Sequence, residues 1–239
     1  MSTTTKLSKN AYEKDVEQKL YRSMLGSLLC LTMSRPNISF SVGACVRYQV
    51  NPKESHLTTI KRIICYINGT LDYGLWYHYV FSLVIVGYFV VDWAKNIEDR
   101  KNTSCAYFFI GDCLAAWLSK KQNFISLSIV KAQYIAIGSC CTQLLRMKQI
   151  LKDYGIEQGT MCIHCDNFSA INISKNPILH SCTKYIEIYH HFIRDLVEEK
   201  VVSLEFMLTE HQLTNIFTKP LDSLSFEYLR KSLGICLID

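Results

Sequence analysis

Two hydrophobic rhythms divide the chain. Up to about residue 70, apolar positions recur three and four apart, which gathers them on one face of an α-helix. Residues 20–50 read as two helices broken near Ser34-Arg35-Pro36, because the residue before a proline is pushed out of the α region. Asn51-Pro52 starts a third helix, with Ile60, Ile63, Ile64 and Ile67 as its apolar stripe and Asn68-Gly69 as its stop. The polar stretch 1–18 ahead of them reads as a linker.

Beyond this point the apolar residues come in short continuous runs. Residues 83–91 have strand length, and 104–110 and 113–118 are two further strands joined at Gly111-Asp112. A long helix is expected over 128–153, with Val130, Tyr134, Ile137, Cys141, Leu144 and Leu145 on one face and Gly155 ending it. A strand over 161–165 then runs into Asp166-Asn167 and a short helix. A helix over 184–200, a strand over 201–207 and helices over 213–217 and 225–233 complete the pattern. A meander of three strands followed by alternating helix and strand predicts an α/β domain, a mixed sheet with flanking helices. The expected organisation is a linker over 1–18, a small helical unit over 19–78 and the α/β domain over 79–239.

Composition narrows the class. The chain has 239 residues, 49% of them apolar, enough to bury a substantial core. A charged share of 20%, with 4 prolines and 10 glycines, excludes disordered, collagenous and low-complexity classes. The net charge of +5 permits a polyanionic partner without requiring one. Eleven cysteines without regular spacing, and no apolar signal segment at the start, point to reduced thiols in the cytoplasm or nucleus, not to a secreted scaffold. The N-x-S/T sequons at Asn37, Asn68, Asn102, Asn167 and Asn172 then carry no meaning. Residues 73–91 lack formal charge and are long enough to span a bilayer. Gly74, His78, Ser82 and Gly87 interrupt them and no Lys/Arg cluster flanks them, so a strand, a turn and a buried strand are expected instead.

Candidate chemistry is sparse. Cys162, His164 and Cys165 look like half a zinc site, but strand residues three apart point to opposite faces, so the two cysteines cannot chelate together. Cys140-Cys141 also face different ways on a helix, and His190-His191 sit about 100° apart, which suits a solvated, mildly basic face. Asp92 and Asp166 each stand at the carboxyl end of an apolar strand, where such sheets bind ligands, although strand-ending aspartates often cap a helix or start a turn.

Longer motifs add a family. Tyr21-Arg22-Ser23-Met24-Leu25-Gly26-Ser27-Leu28-Leu29, Ser34-Arg35-Pro36-Asn37-Ile38 and Asn51-Pro52-Lys53-Glu54-Ser55-His56 together resemble the end of the reverse transcriptase region of copia-type retrotransposon polyproteins. Asp92-Trp93-Ala94, Asp99-Arg100-Lys101, Trp117-Leu118-Ser119-Lys120-Lys121-Gln122, Cys165-Asp166-Asn167, His191-Phe192-Ile193-Arg194 and Glu210-His211-Gln212-Leu213 resemble the ribonuclease H domain that follows it. The run Ile216-Phe217-Thr218-Lys219-Pro220-Leu221 continues the match, which covers essentially the whole chain in order.

The resemblance implies a ribonuclease H-like mixed five-stranded sheet and Mg²⁺-dependent hydrolysis of RNA in RNA–DNA hybrids. Four carboxylates would hold two Mg²⁺ ions, one readying the attacking water and the other stabilising the leaving oxygen. Aligned on the family's motifs, the four positions are Val90, Gln133, Asp166 and Asn215, so only Asp166 keeps its acid as a residual metal ligand. Four acids bring about −4 against roughly +4 of metal, whereas Asp166 alone brings about −1. The resemblance therefore implies an inactive domain in which magnesium is not held. Asp92, two residues along from Val90, and Glu187 are possible substitutes that the motifs do not favour. Two alternatives are a non-cleaving nucleic-acid-binding module, with Lys120, Lys121, Gln122, Lys184, His190, His191 and Arg194 on phosphates, and a membrane anchor through 73–91.

Overall fold

The computed structural model describes residues 7, 12–79, 82–92, 101–123, 125–126, 128–175, 187–208, 211–218 and 221–238. They fall into two compact units, one of the described residues up to Trp76 and from Ile216 onward, the other of those between Tyr77 and Asn215.

The first unit is built on α1 (Gln18–Leu31), α2 (Pro36–Val46) and α3 (Glu54–Asn68). Pro36 opens α2, where a missing N–H costs nothing. Tyr21, Leu25, Leu28, Ile38, Val42, Cys45, Ile60 and Ile63 form the core of the unit, and the Tyr21 hydroxyl donates to the Cys45 carbonyl at 2.9 Å. Of the expected α3 stripe, Ile64 is exposed instead of buried. Two short strands join this unit, β1 (Tyr73–Leu75) and β7 (Ile235–Leu237), paired antiparallel with Gly74 opposite Cys236. Helix α8 (Ser223–Ser232) precedes β7, and its Arg230 guanidinium lies 4.4 Å from the centre of the Tyr73 ring. The expected boundary after residue 78, with everything to 239 in the α/β domain, is therefore corrected: the C-terminal segment pairs with a strand that follows α3.

The second unit is the sheet. Strands β2 (Ile85–Asp92), β3 (Thr103–Ile110), β4 (Cys113–Lys121), β5 (Met161–Cys165) and β6 (Val202–Phe206) lie in the order β4-β3-β2-β5-β6. The first three form an antiparallel meander, and β2-β5 and β5-β6 are parallel. This is the mixed five-stranded sheet of a ribonuclease H-like fold, as the motifs implied. Gly111 (φ 58) supplies the left-handed position in the turn between β3 and β4. The run 73–91 holds β1 and most of β2, and no helix among the described residues is long and apolar enough to cross a membrane.

Helix α4 (Ile129–Asp153) packs along one face of the sheet, with α5 (Phe168–Lys175) and α6 (Glu187–Glu198) beside it. The Ser128 side chain caps α4 by accepting from the Lys131 N–H at 3.2 Å, and Gly155 (φ 76) follows its end. Tyr134, Ala136, Ile137, Cys140, Cys141 and Leu144 press from α4 onto Ile85, Phe89, Ala106, Phe108, Ile163 and Leu204. Val130 and Leu145, expected on this stripe, are half-buried at its margin. Strand alternation leaves a second set, Tyr88, Cys162, His164, Ser203 and Glu205, on the face away from α4.

Candidate functional site

The carboxyl end of β5 gathers most of the positions singled out by the motifs. Asp166 follows the last β5 residue, and Gln133, in the second turn of α4, donates from its side-chain Nε2 to Asp166 Oδ1 at 3.3 Å. Gln133 is 6% exposed, and its Oε1 has no hydrogen-bond partner among the described residues.

The start of α4 is held by a residue that the sequence presents as a phosphate contact. Gln122 is buried immediately beyond β4, so it cannot reach a phosphate in solution, and that expectation is corrected. Its Nε2 donates to the Ala132 carbonyl at 2.8 Å and to Ser104 Oγ at 2.9 Å, while its Oε1 accepts from Asn102 Nδ2 at 3.3 Å. The sheet edge is thereby tied to the backbone next to Gln133. Nothing in the sequence alone distinguished this role, because glutamine after two lysines reads as solvated.

Asn215 begins the short helix α7 (Asn215–Thr218) and is buried. Its N–H donates to the Gln212 carbonyl at 3.0 Å, and Gln212 in turn donates to the His164 carbonyl at 3.4 Å, so this segment is pinned to the end of β5. Val90 is buried on β2, on the face that carries Tyr88. With Tyr88 opposite His164 in the β2–β5 register, two further residues bring Val90 level with Asp166. Asp92 ends β2 opposite Thr103.

This donor set does not fit two magnesium ions. Two hard dications side by side need several anionic oxygens to balance their charge, and of these four positions only Asp166 supplies one, while Val90 offers no donor and Gln133 turns an N–H toward the carboxylate. Where a cation would lie between two carboxylates, an amide hydrogen already occupies the acceptor.

The outward face of β5 differs. Cys165 is buried in the helix-facing core and Cys162 faces outward, so the two cysteines are separated as expected. A pairing two residues apart forms instead, one the sequence pattern did not single out: Cys162 Sγ lies 3.8 Å from His164 Nε2, and Glu205 joins them from β6 opposite His164. Burial pushes the Cys162 thiol up to about 12, with the Glu205 carboxylate adding to it. Burial also holds the His164 imidazole below its ordinary value, opposed by Glu205.

Among the described residues, the basic positions expected on phosphates do not gather. Lys120 is exposed and Lys121 half-buried at the end of β4, on one edge strand of the sheet. Helix α6 packs on α4, α5 and β6, and β6 is the other edge strand. Arg194 on α6 pairs with Glu198 at 3.4 Å and Asp195 at 3.8 Å and approaches His191 Nδ1 at 3.3 Å, so acids already flank its charge. His190 lies on α6 with its side chain outside the described residues, and Lys184 lies outside them altogether.

The strand order of the sheet gives the chain a ribonuclease H-like fold. No family model matches it. It is 30% identical over 236 residues to the retrovirus-related Pol polyprotein from transposon RE2 of Arabidopsis thaliana, which spans 98% of this chain and 16% of that polyprotein. The corresponding polyprotein from transposon TNT 1-94 of Nicotiana tabacum is 30% identical over 237 residues, 96% of this chain and 18% of the relative. Over nearly its whole length the chain is similar to copia-type retrotransposon Pol polyproteins, and it spans about a sixth of the length of these relatives. Among solved structures, the N-terminal RNase H domain of rv2228c from Mycobacterium tuberculosis matches with a TM-score of 0.42 and 8% identity, over 63% of this chain and 99% of that one. The fold assignment rests on the strand order described above.

Proposed function

We propose that this chain is a ribonuclease H-like segment of a copia-type polyprotein that does not hydrolyse RNA. The observation that carries the proposal is the Gln133 amide on Asp166, a neutral donor where two-metal hydrolysis needs a second anion. The alignment of Val90, Gln133, Asp166 and Asn215 with the family's four acids supports the same conclusion, as do the placement of Val90 level with Asp166 and the pinning of Asn215 to β5. Magnesium is then not retained, while the helix-facing core is built from other residues.

A labelled RNA–DNA hybrid incubated with the purified chain and Mg²⁺ tests this. The unmodified chain gives no cleavage above background. Val90→Asp, Gln133→Glu and Asn215→Asp combined restore it, since each recovered charge contributes on the order of 10²–10³ in rate at comparable electrostatic sites. Mg²⁺-dependent cleavage by the unmodified chain overturns the proposal. Hybrid binding without cleavage is measured separately by salt titration. With acids beside Arg194 and only Lys120 and Lys121 on the far edge strand, a shallow salt slope is expected.

A further inference from the structure

We propose that Cys162, His164 and Glu205 form a binding site for a borderline transition-metal dication of the zinc class, distinct in position and chemistry from the cluster around Asp166. Three observations carry it. The sequence Cys-x-His on a strand sets the two side chains on one face, and β6 delivers Glu205 beside them, because His164 and Glu205 are register partners. The three donor atoms lie within 4.8 Å of one another, and Cys162 Sγ is 3.8 Å from His164 Nε2. With Zn–S near 2.3 Å and Zn–N near 2.05 Å, a tetrahedral ion spans an S···N edge of ~3.6 Å, so little movement is needed to close on it.

The surroundings suit such an ion. The Tyr88 ring, 4.8 Å from the imidazole centre, holds His164 in place, and two hydrogen-bonded strands fix the backbone of all three donors. Glu205 is exposed, which lets its carboxylate swing onto the metal and leaves the fourth position to water. A thiolate and an imidazole select zinc, cobalt or copper over magnesium. The imidazole, already held neutral by burial, offers a lone pair, while Cys162 must give its proton to solvent on binding. The site stands whether or not the chain cleaves hybrids.

Cobalt(II) serves as the probe. The reduced, chelator-stripped full chain is titrated with Co²⁺, and one equivalent is expected to produce a thiolate-to-cobalt charge-transfer band that Zn²⁺ bleaches. Cys162→Ser abolishes the band. The Cys30→Ser/Cys65→Ser double variant, which removes the exposed thiols of the helical unit, retains it. Glu205→Gln and His164→Gln each weaken Co²⁺ binding about tenfold or more, and Glu205→Gln is an exposed, same-shape change that leaves the fold intact. No band at one equivalent, a band that survives Cys162→Ser, or unchanged affinity in Glu205→Gln and His164→Gln overturns the proposal.

Discussion

Strand β5 has two sides that obey different rules. Met161, Ile163 and Cys165 face the helices and are fully buried among aliphatic and aromatic neighbours. Cys162 and His164 face away, half-exposed, and Asp166 follows at the strand end. On the inward side any well-fitting apolar group satisfies the physics, because burial is proportional to area and indifferent to chemistry. On the outward side and at the strand end, the donor type decides what can be held. A helix-facing core thus tolerates exchanges of side-chain chemistry that a charge-dependent site beside it does not.

The contrast is broken most forcefully from inside. Phe89→Ala, at a position 1% exposed in the middle of the core, is expected to cost about 3–5 kcal/mol in urea unfolding. A loss below about 1 kcal/mol would mean that the inward side is not the main source of stability. Gln122→Ala should follow at about 1–3 kcal/mol, because it strips partners from the Ala132 carbonyl and from buried Ser104 and Asn102. Ser128→Ala removes only the α4 cap and is expected to cost about 1 kcal/mol, read from the same unfolding curves.

The outward side is probed by pH. Cys162, Glu205 and Tyr88 face His164, and burial lowers its pKa against the pull of Glu205. As the pH falls below the ordinary value of 6.5, the unfolded chain takes up this proton before the folded one does. Stability from neutral His164 is therefore present above that pH and lost as the pH drops through the folded value. His164→Gln should flatten the acid side of a melting-temperature profile, and an unchanged profile would remove His164 from its causes. The smallest effect belongs to Glu205→Gln in the absence of metal, within about 0.5 kcal/mol at neutral pH, as for an exposed surface change.

Legibility in the sequence follows the same division. Strands β2 to β6 and helix α4 were readable because each buries a continuous run or a helical stripe, and Gly111 and Gly155 mark ends that need a left-handed backbone. Strand β7 was not, since Ile235-Cys236-Leu237 is too short to show alternation and its partner, the short strand expected at the start of 73–91, lies far from it in the chain. Gln122 was misjudged because burial of a polar residue beside two lysines depends on tertiary partners that no local pattern announces. Cys162 and His164 could have been paired by their two-residue spacing alone. Glu205 could not, because it enters through a register between β5 and β6 that the sequence does not encode locally.

The pairing of Tyr73–Leu75 with Ile235–Leu237 makes the helical unit a clasp whose two jaws lie on either side of the sheet unit in the chain. The sheet unit is spelled out between them as one nearly uninterrupted passage, while the unit that opens the chain is finished only when its last residues arrive. During synthesis the five-stranded sheet can therefore be complete before the smaller β1–β7 sheet exists. A premature stop after Asn215 would spare every strand of the large sheet and leave β1 without its partner.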